Sequence, residues 1–150
     1  MIEIQQENPS LPEINQEMIQ FGVSITLSLH EKSSVDVTIR LTGDDEVRKL
    51  NYGFRGIDQT TDVLSFNQDV VDLETSRFYL GDIIISLDRV RQQASENSHT
   101  MNEECTLLAV HGTLHLLGYD HATQDEKEEM WKMQEKVLKQ VLKEFQVNSG

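Results

Sequence analysis

The 150-residue sequence predicts an α+β fold: a small mixed sheet of about four strands flanked by helices, with a three-histidine metal site at the C-terminal end of a central helix. Three observations predict it. Val35, Val37, Ile39 and Leu41 alternate with polar residues, the period of a half-buried strand. Ile83-Ile84-Ile85 forms a continuous apolar run suited to a central strand covered on both faces. Helical apolar spacing recurs behind cap signals, and one such helix carries His111 and His115.

In chain order, Met1–Gln5 alternates apolar and polar residues and predicts a short strand, closed by Asn8-Pro9-Ser10. Leu11, Ile14, Met18, Phe21, Ile25 and Leu29 recur at helical spacing, whereas Val23, Ile25, Leu27 and Leu29 alternate. The longer match predicts a helix over 11–29, against the β-branched content and Gly22 of its second half. After the strand over 35–41, Thr42 is the expected cap of a helix with Asp44, Asp45 and Glu46 in its first turn, running to Asn51. Residues 54–62 read as a polar turn, Val63–Phe66 as a strand, and Asn67–Arg77 as a loop or irregular edge. Phe78–Ser86 is the central strand and Leu87–Asn97 a helix. Thr100 and Glu103 form a capping box before the histidine helix, whose apolar side (Leu107, Leu108, Val110, Leu114, Leu117) predicts burial. Thr123 and Glu126 repeat the box before a final helix with the stripe Met130, Val137, Leu138, Val141, Leu142 and Phe145. No repeat or linker divides the chain, so residues 1–150 are expected to form a single domain.

Chemistry concentrates in His111-Gly112-Thr113-Leu114-His115-Leu116-Leu117-Gly118-Tyr119-Asp120-His121. Residues four apart on a helix differ by about 40° and about 6 Å of rise, so His111 and His115 project from one face. Gly118 can take the left-handed conformation that ends a helix and turn the chain so that His121 joins as a third imidazole. Three neutral nitrogens with an open fourth position are the donor set of a catalytic zinc site. Imidazole also suits Ni, Cu and Fe, so Zn²⁺ is the expectation among several divalent ions. The same spacing occurs in metzincin proteases, but those carry a Glu proton acceptor directly after the first His, where this chain has Gly112. The standard peptidase mechanism therefore lacks its central part, the proton acceptor. Asp120 is open to two readings, orienting a ligand imidazole or capping the turn, and Tyr119 either fills the turn or lines the pocket.

The formal net charge of −13 argues against nucleic-acid capture by the whole surface but leaves room for a local basic groove. Residues 1–31 carry no Lys or Arg, whereas Arg40, Arg48, Lys49, Arg55, Arg77, Arg89 and Arg91 occupy the middle. A single cysteine, Cys105, suggests a reducing compartment. No apolar run reaches the length of a membrane span, and the N-terminal residues lack a signal-peptide pattern. The expected address is cytoplasmic, with no membrane partner.

The three-histidine stretch resembles the signature of the YbeY family, bacterial single-strand endoribonucleases that mature ribosomal RNA. Residues 50–66, Leu50-Asn51-Tyr52-Gly53-Phe54-Arg55-Gly56 through Thr61-Asp62-Val63-Leu64-Ser65-Phe66, resemble that family's central block. Leu80-Gly81-Asp82-Ile83-Ile84-Ile85-Ser86 resembles the strand before its metal helix. The match covers roughly residues 42 to 131 and is weak in the first 35 residues and after Trp131. The resemblance implies a four-stranded α+β fold and one metal ion held by His111, His115 and His121. It further implies cleavage of single-stranded RNA with Arg55 and His111 catalytic, 16S ribosomal RNA 3′-end maturation, ribosome quality control, and small-subunit proteins as partners. A guanidinium can hold a phosphate through two parallel hydrogen bonds, which gives Arg55 a physical role; the competing role is an ion pair with Asp58 or Asp62. His30 and His99 read as ordinary surface or capping residues.

Two other readings compete. One is a ribosome-assembly factor with a structural metal and little intrinsic catalysis, which needs a fourth protein ligand; Cys105, almost two turns before His111, is a poor one. The other is a metal-dependent hydrolase of a small ester or amide.

Overall fold

Four strands form one sheet: β1 (Ile2–Gln6), β2 (Asp36–Thr42), β3 (Val63–Val71) and β4 (Phe78–Ser86), in the spatial order β1-β2-β4-β3. β1 and β4 run parallel to β2, and β3 is antiparallel to β4, so the sheet is mixed. Five helices accompany it: α1 (Gln16–Leu29), α2 (Asp44–Arg55), α3 (Leu87–Glu96), α4 (Met101–Leu116) and α5 (Gln124–Ser149). The structure, a computed structural model, describes residues 1–6, 13–120 and 122–149, with side chains as far as Phe145.

Strand alternation divides the core between the two faces of the sheet. Val37, Ile39, Leu41, Ile83 and Ile85 point to one face, where Ile19, Val23 and Leu27 of α1, Leu87 and Val90 of α3, and Cys105, Leu108 and Ala109 of α4 meet them. Ile84 and Leu64 point to the other, against Val47 and Leu50 of α2. A third cluster seals the far side of α4: Val110 and Leu114 pack with Met18 of α1 and with Met130, Val137 and Val141 of α5. α4 is thus enclosed by the sheet, α1 and α5, which explains why apolar residues occur all round it rather than on one stripe. Its buried polar side chains are satisfied locally. Thr106 and Thr113 hydroxyls donate to the carbonyls of Asn102 and Ala109, each at 2.8 Å, and Glu104, 3% exposed, accepts from His99 Nδ1 at 2.9 Å.

Most elements stand where periodicity places them, with four corrections. α1 begins at Gln16, not residue 11: Asn15 is its cap, accepting from the Met18 amide at 3.2 Å, and Leu11 lies outside the described residues. Gly22 lowers helix propensity but lets α1 approach α4, since a Cβ there would lie 3.0 Å from Thr106 Cγ2. Thr42 does not cap α2; it ends β2 with its side chain buried, Gly43 is the cap residue, and the Asp88 carboxylate accepts from the Asp44 amide at 2.9 Å. α2 runs one turn past Asn51 to Arg55, where Gly56 (φ 72°) ends it. β3 runs past Phe66 to Val71 as an irregular edge, its register shifting between Asn67 and Val70. Among the described residues no helix is long and apolar enough to cross a membrane.

Candidate active site and metal centre

The last two turns of α4 carry His111 and His115, both half-buried, with their Nε2 atoms 3.0 Å apart. The helix stops at Leu116 because Gly118 adopts φ 102°: its amide donates to the His115 carbonyl and the Tyr119 amide to the Leu114 carbonyl, each at 3.0 Å. That turn brings the Tyr119 carbonyl back onto the helix, where it accepts from His115 Nδ1 at 3.1 Å. On the other ring, His111 Nδ1 donates to Gln134 Oε1 of α5 at 2.6 Å. A carbonyl only accepts, so each Nδ1 holds a proton, and in a neutral ring the lone pair is then on Nε2.

The two Nε2 atoms lie 3.0 Å apart, and both can turn a lone pair toward one shared cation. Nitrogens about 2.0 Å from a tetrahedral metal would stand about 3.3 Å apart, so this pair fits a borderline divalent cation such as Zn²⁺. His121, the expected third ligand, lies outside the described residues, and among the described residues no third His, Cys, Asp or Glu joins the pair. Cys105 is fully buried in the main core, and that burial pushes its thiol up to about 12, so it is no ligand.

The histidine pair opens on a cleft of about 400 Å³ whose other walls are Thr61 and Asp62, Val63, Ser65 and Asn67 of β3, and Arg55. β3 is pinned to α4 along this wall: Ser65 Oγ donates to the Gly112 carbonyl at 3.3 Å and Asn67 Nδ2 to the Leu116 carbonyl at 2.9 Å. Gly112 is where helix and sheet touch. A Cβ there would lie 2.8 Å from Ile83 Cγ2 and 3.0 Å from Ser65 Oγ, so the position that holds the protease glutamate elsewhere has no room for a side chain.

Arg55 reaches the cleft from across β3. Its Nη2 donates to the Ser65 carbonyl at 3.3 Å, and its Cζ lies 5.6 Å from the centroid of the Phe66 ring. Neither expected carboxylate takes it. Asp58 is held by Arg48 at 2.8 and 3.1 Å, and Asp62 accepts from the Val63 amide at 2.8 Å and Gln93 Nε2 at 3.3 Å. Asn51, one turn earlier on α2, donates to the Gln59 carbonyl at 2.8 Å and so ties down the loop that follows Arg55.

Sequence reading missed the groups that orient the imidazoles. Gln134 carried a usable signal: Met130, Gln134, Val137 and Val141 share one inward stripe of α5, and a polar residue inside an apolar stripe needs a buried partner. The Tyr119 carbonyl had none, being a backbone group. Tyr119 itself fills the turn, with its hydroxyl donating to His30 Nε2 at 2.8 Å while His30 Nδ1 donates to the Thr26 carbonyl at 2.6 Å. Burial, and then the charge of Glu129, raise the Tyr119 hydroxyl above its usual range, so it stays protonated. His30 therefore does more than cap α1, and His99 is held by the buried Glu104.

Sheet, enclosed helix and polar cleft define a class: an α+β domain whose candidate site lies between an edge strand and the end of its central helix. The chain matches the family model described as Endoribonuclease YbeY over residues 1–142. It is 38% identical to the Endoribonuclease YbeY of Desulfitobacterium hafniense (93% of this chain, 96% of that protein) and 38% identical to that of Bacillus subtilis (83% and 87%). The solution structure of TM1509 from Thermotoga maritima superposes with a TM-score of 0.66 at 29% identity, covering 99% of this chain and 93% of that one. The chain belongs to the YbeY endoribonuclease family.

Proposed function

We propose that this chain is a metal-dependent endoribonuclease that cleaves single-stranded RNA, acting in the cytoplasm on 16S ribosomal RNA during 3′-end maturation and ribosome quality control, with the small ribosomal subunit as its partner. Membership of a family whose relatives are named endoribonucleases supports the reaction class. One observation carries the site: two imidazole Nε2 atoms 3.0 Å apart, with their Nδ1 atoms on carbonyl acceptors, share an open cleft with Arg55, which has no carboxylate partner among the described residues.

His111 and His115, with His121, would hold the metal. A bound divalent cation would polarise a phosphoryl oxygen and lower the pKa of a bound water toward about 7. Arg55 grips the phosphate beside the scissile bond and offsets the charge that develops on its oxygens. Gly112 provides no proton acceptor, and its bare α-carbon keeps α4 seated on β3 and β4. Because Cys105 is locked in the core, the fourth ligand that a purely structural metal would need is missing at that position, which favours catalysis over the assembly-factor reading.

The test compares wild type, His115→Ala and Arg55→Ala, purified identically, for metal content and cleavage of single-stranded ribosomal RNA. His115→Ala loses both metal and cleavage, whereas Arg55→Ala keeps metal and loses cleavage. Full cleavage by metal-free refolded protein would refute the catalytic metal.

A further inference from the structure

A second concavity lies on the opposite face of β3 from the histidine cleft. It is a groove of about 210 Å³ between the C-terminal half of α2, which supplies Leu50 and Phe54, and the sheet, which supplies Arg40, Phe66, Gln68, Asp82 and Ile84. Phe54 is 69% exposed, so its ring is open to a ligand from solvent. It leans on Phe66 with ring centroids 4.8 Å apart at 41°, and the Arg55 guanidinium covers another part of the same Phe66 ring. Arg55 therefore links the two concavities through the Phe66 ring. It lines the histidine cleft and caps the ring that walls the groove.

Alternation along β3 produces this arrangement. Ser65 and Asn67 face the histidines, Phe66 and Gln68 face the groove, and β3 is the last strand of the sheet. A chain crossing that edge at Arg55 meets both. Polar groups in the groove suit the edge of a base, which both donates and accepts: the Arg40 guanidinium, 3.7 Å from Glu46, is a donor, and Asp82, which accepts from Gln68 Nε2 at 3.0 Å and from the Tyr79 hydroxyl, retains acceptor capacity for N–H groups. Aromatic walls with acceptors at the floor fit a nucleobase, flat and apolar on its faces and polar along its edge.

We propose that this groove is a nucleobase subsite: one base of the single-stranded RNA, next to the phosphate held by Arg55, stacks on Phe54 and Phe66 with its edge toward Gln68 and Asp82. The inference rests on the RNA-cleaving reading above and adds the place where that substrate is gripped by a base.

The experiment uses the full metal-loaded protein and one labelled single-stranded RNA, together with copies of it each carrying a single abasic ribose near the cut. With wild type, one abasic position lowers kcat/KM by about tenfold or more, the range expected for losing one stacked base. Phe54→Ala lowers kcat/KM on intact RNA by a similar factor and loses sensitivity to that same abasic position, while Phe54→Trp restores both. Metal content and melting temperature stay at wild-type values, since the ring is exposed. Cleavage of intact RNA by Phe54→Ala at the wild-type rate overturns the subsite, as do two losses that simply multiply. Absence of RNA cleavage by wild type would instead overturn the endoribonuclease reading, a separate result.

Discussion

Replacing glycine by alanine in two helices of this protein should change stability in opposite directions. At Gly112, an added Cβ would stand 2.8 Å from Ile83 Cγ2, 3.2 Å from its Cγ1 and 3.0 Å from Ser65 Oγ. Ile83 is fully buried in β4 and β-branched, so it cannot swing aside, and α4 must lift from the sheet. Overpacking of this kind costs about 1–3 kcal/mol, and the better helix propensity of alanine offsets about 1 kcal/mol of it. The net expectation is a loss of up to about 2 kcal/mol, or up to about 8 °C in melting temperature for a chain of this size. At Gly53, in α2, a Cβ would meet nothing within 4 Å, so Gly53→Ala should gain about 0.5–1 kcal/mol. Urea unfolding at neutral pH measures both. The lifted helix carries His111 and His115 together, so Gly112→Ala keeps its metal affinity while the imidazoles move away from Arg55 and cleavage falls. Equal stability changes for the two variants would refute the argument that contact with the sheet requires a bare α-carbon at Gly112.

Three further outcomes follow from named contacts. Gln134→Leu removes the acceptor that holds His111 Nδ1, and a chelator competition should show metal affinity reduced about 10–100-fold with little change in melting temperature. Tyr119→Phe loses only the hydroxyl bond to His30, so unfolding should show a cost of about 1 kcal/mol while metal affinity holds, because the backbone carbonyl still orients His115. The Arg77 guanidinium, with the Met1 amino group adding to it, holds the Asp36 carboxyl down at about 2. A lowered folded pKa gives stability that is present above about pH 4 and lost as pH falls toward 2. Arg77 is 42% exposed and solvent screens the pair, so Arg77→Ala should lower stability only slightly at neutral pH, a difference that closes over that acid range in urea titrations.

Residue periodicity and cap chemistry carried most of the fold. The boxes at Thr100 and Thr123 sit at helix starts as read, and Ser86, unremarked in the sequence, caps α3 by accepting from Arg89. Errors fell where a distant partner replaced a local signal. Thr42 looks like a cap, but its side chain belongs to the buried face of β2, and Asp88 from α3 supplies the acceptor instead. β3 was read short because its exposed end, Asn67 to Val71, stays a strand by pairing with β4 across a register shift, which no alternation in the sequence signals.

The spacing of His111 and His115, the left-handed Gly118 and the empty side chain at Gly112 are local facts, readable within a few residues because helix geometry repeats every 3.6 of them. They established two imidazoles on one face, a helix that ends beyond them, and no protease base. Tertiary structure alone decided what holds those rings and what faces them. The Gln134 amide arrives from α5, and Arg55 crosses the edge of a sheet ordered β1-β2-β4-β3. No period in the chain encodes that order, because strand pairing and helix docking are set by the joint burial of surfaces far apart in sequence. The same crossing puts Phe54 and Phe66 beside Arg55, and with them the groove on the other face of β3.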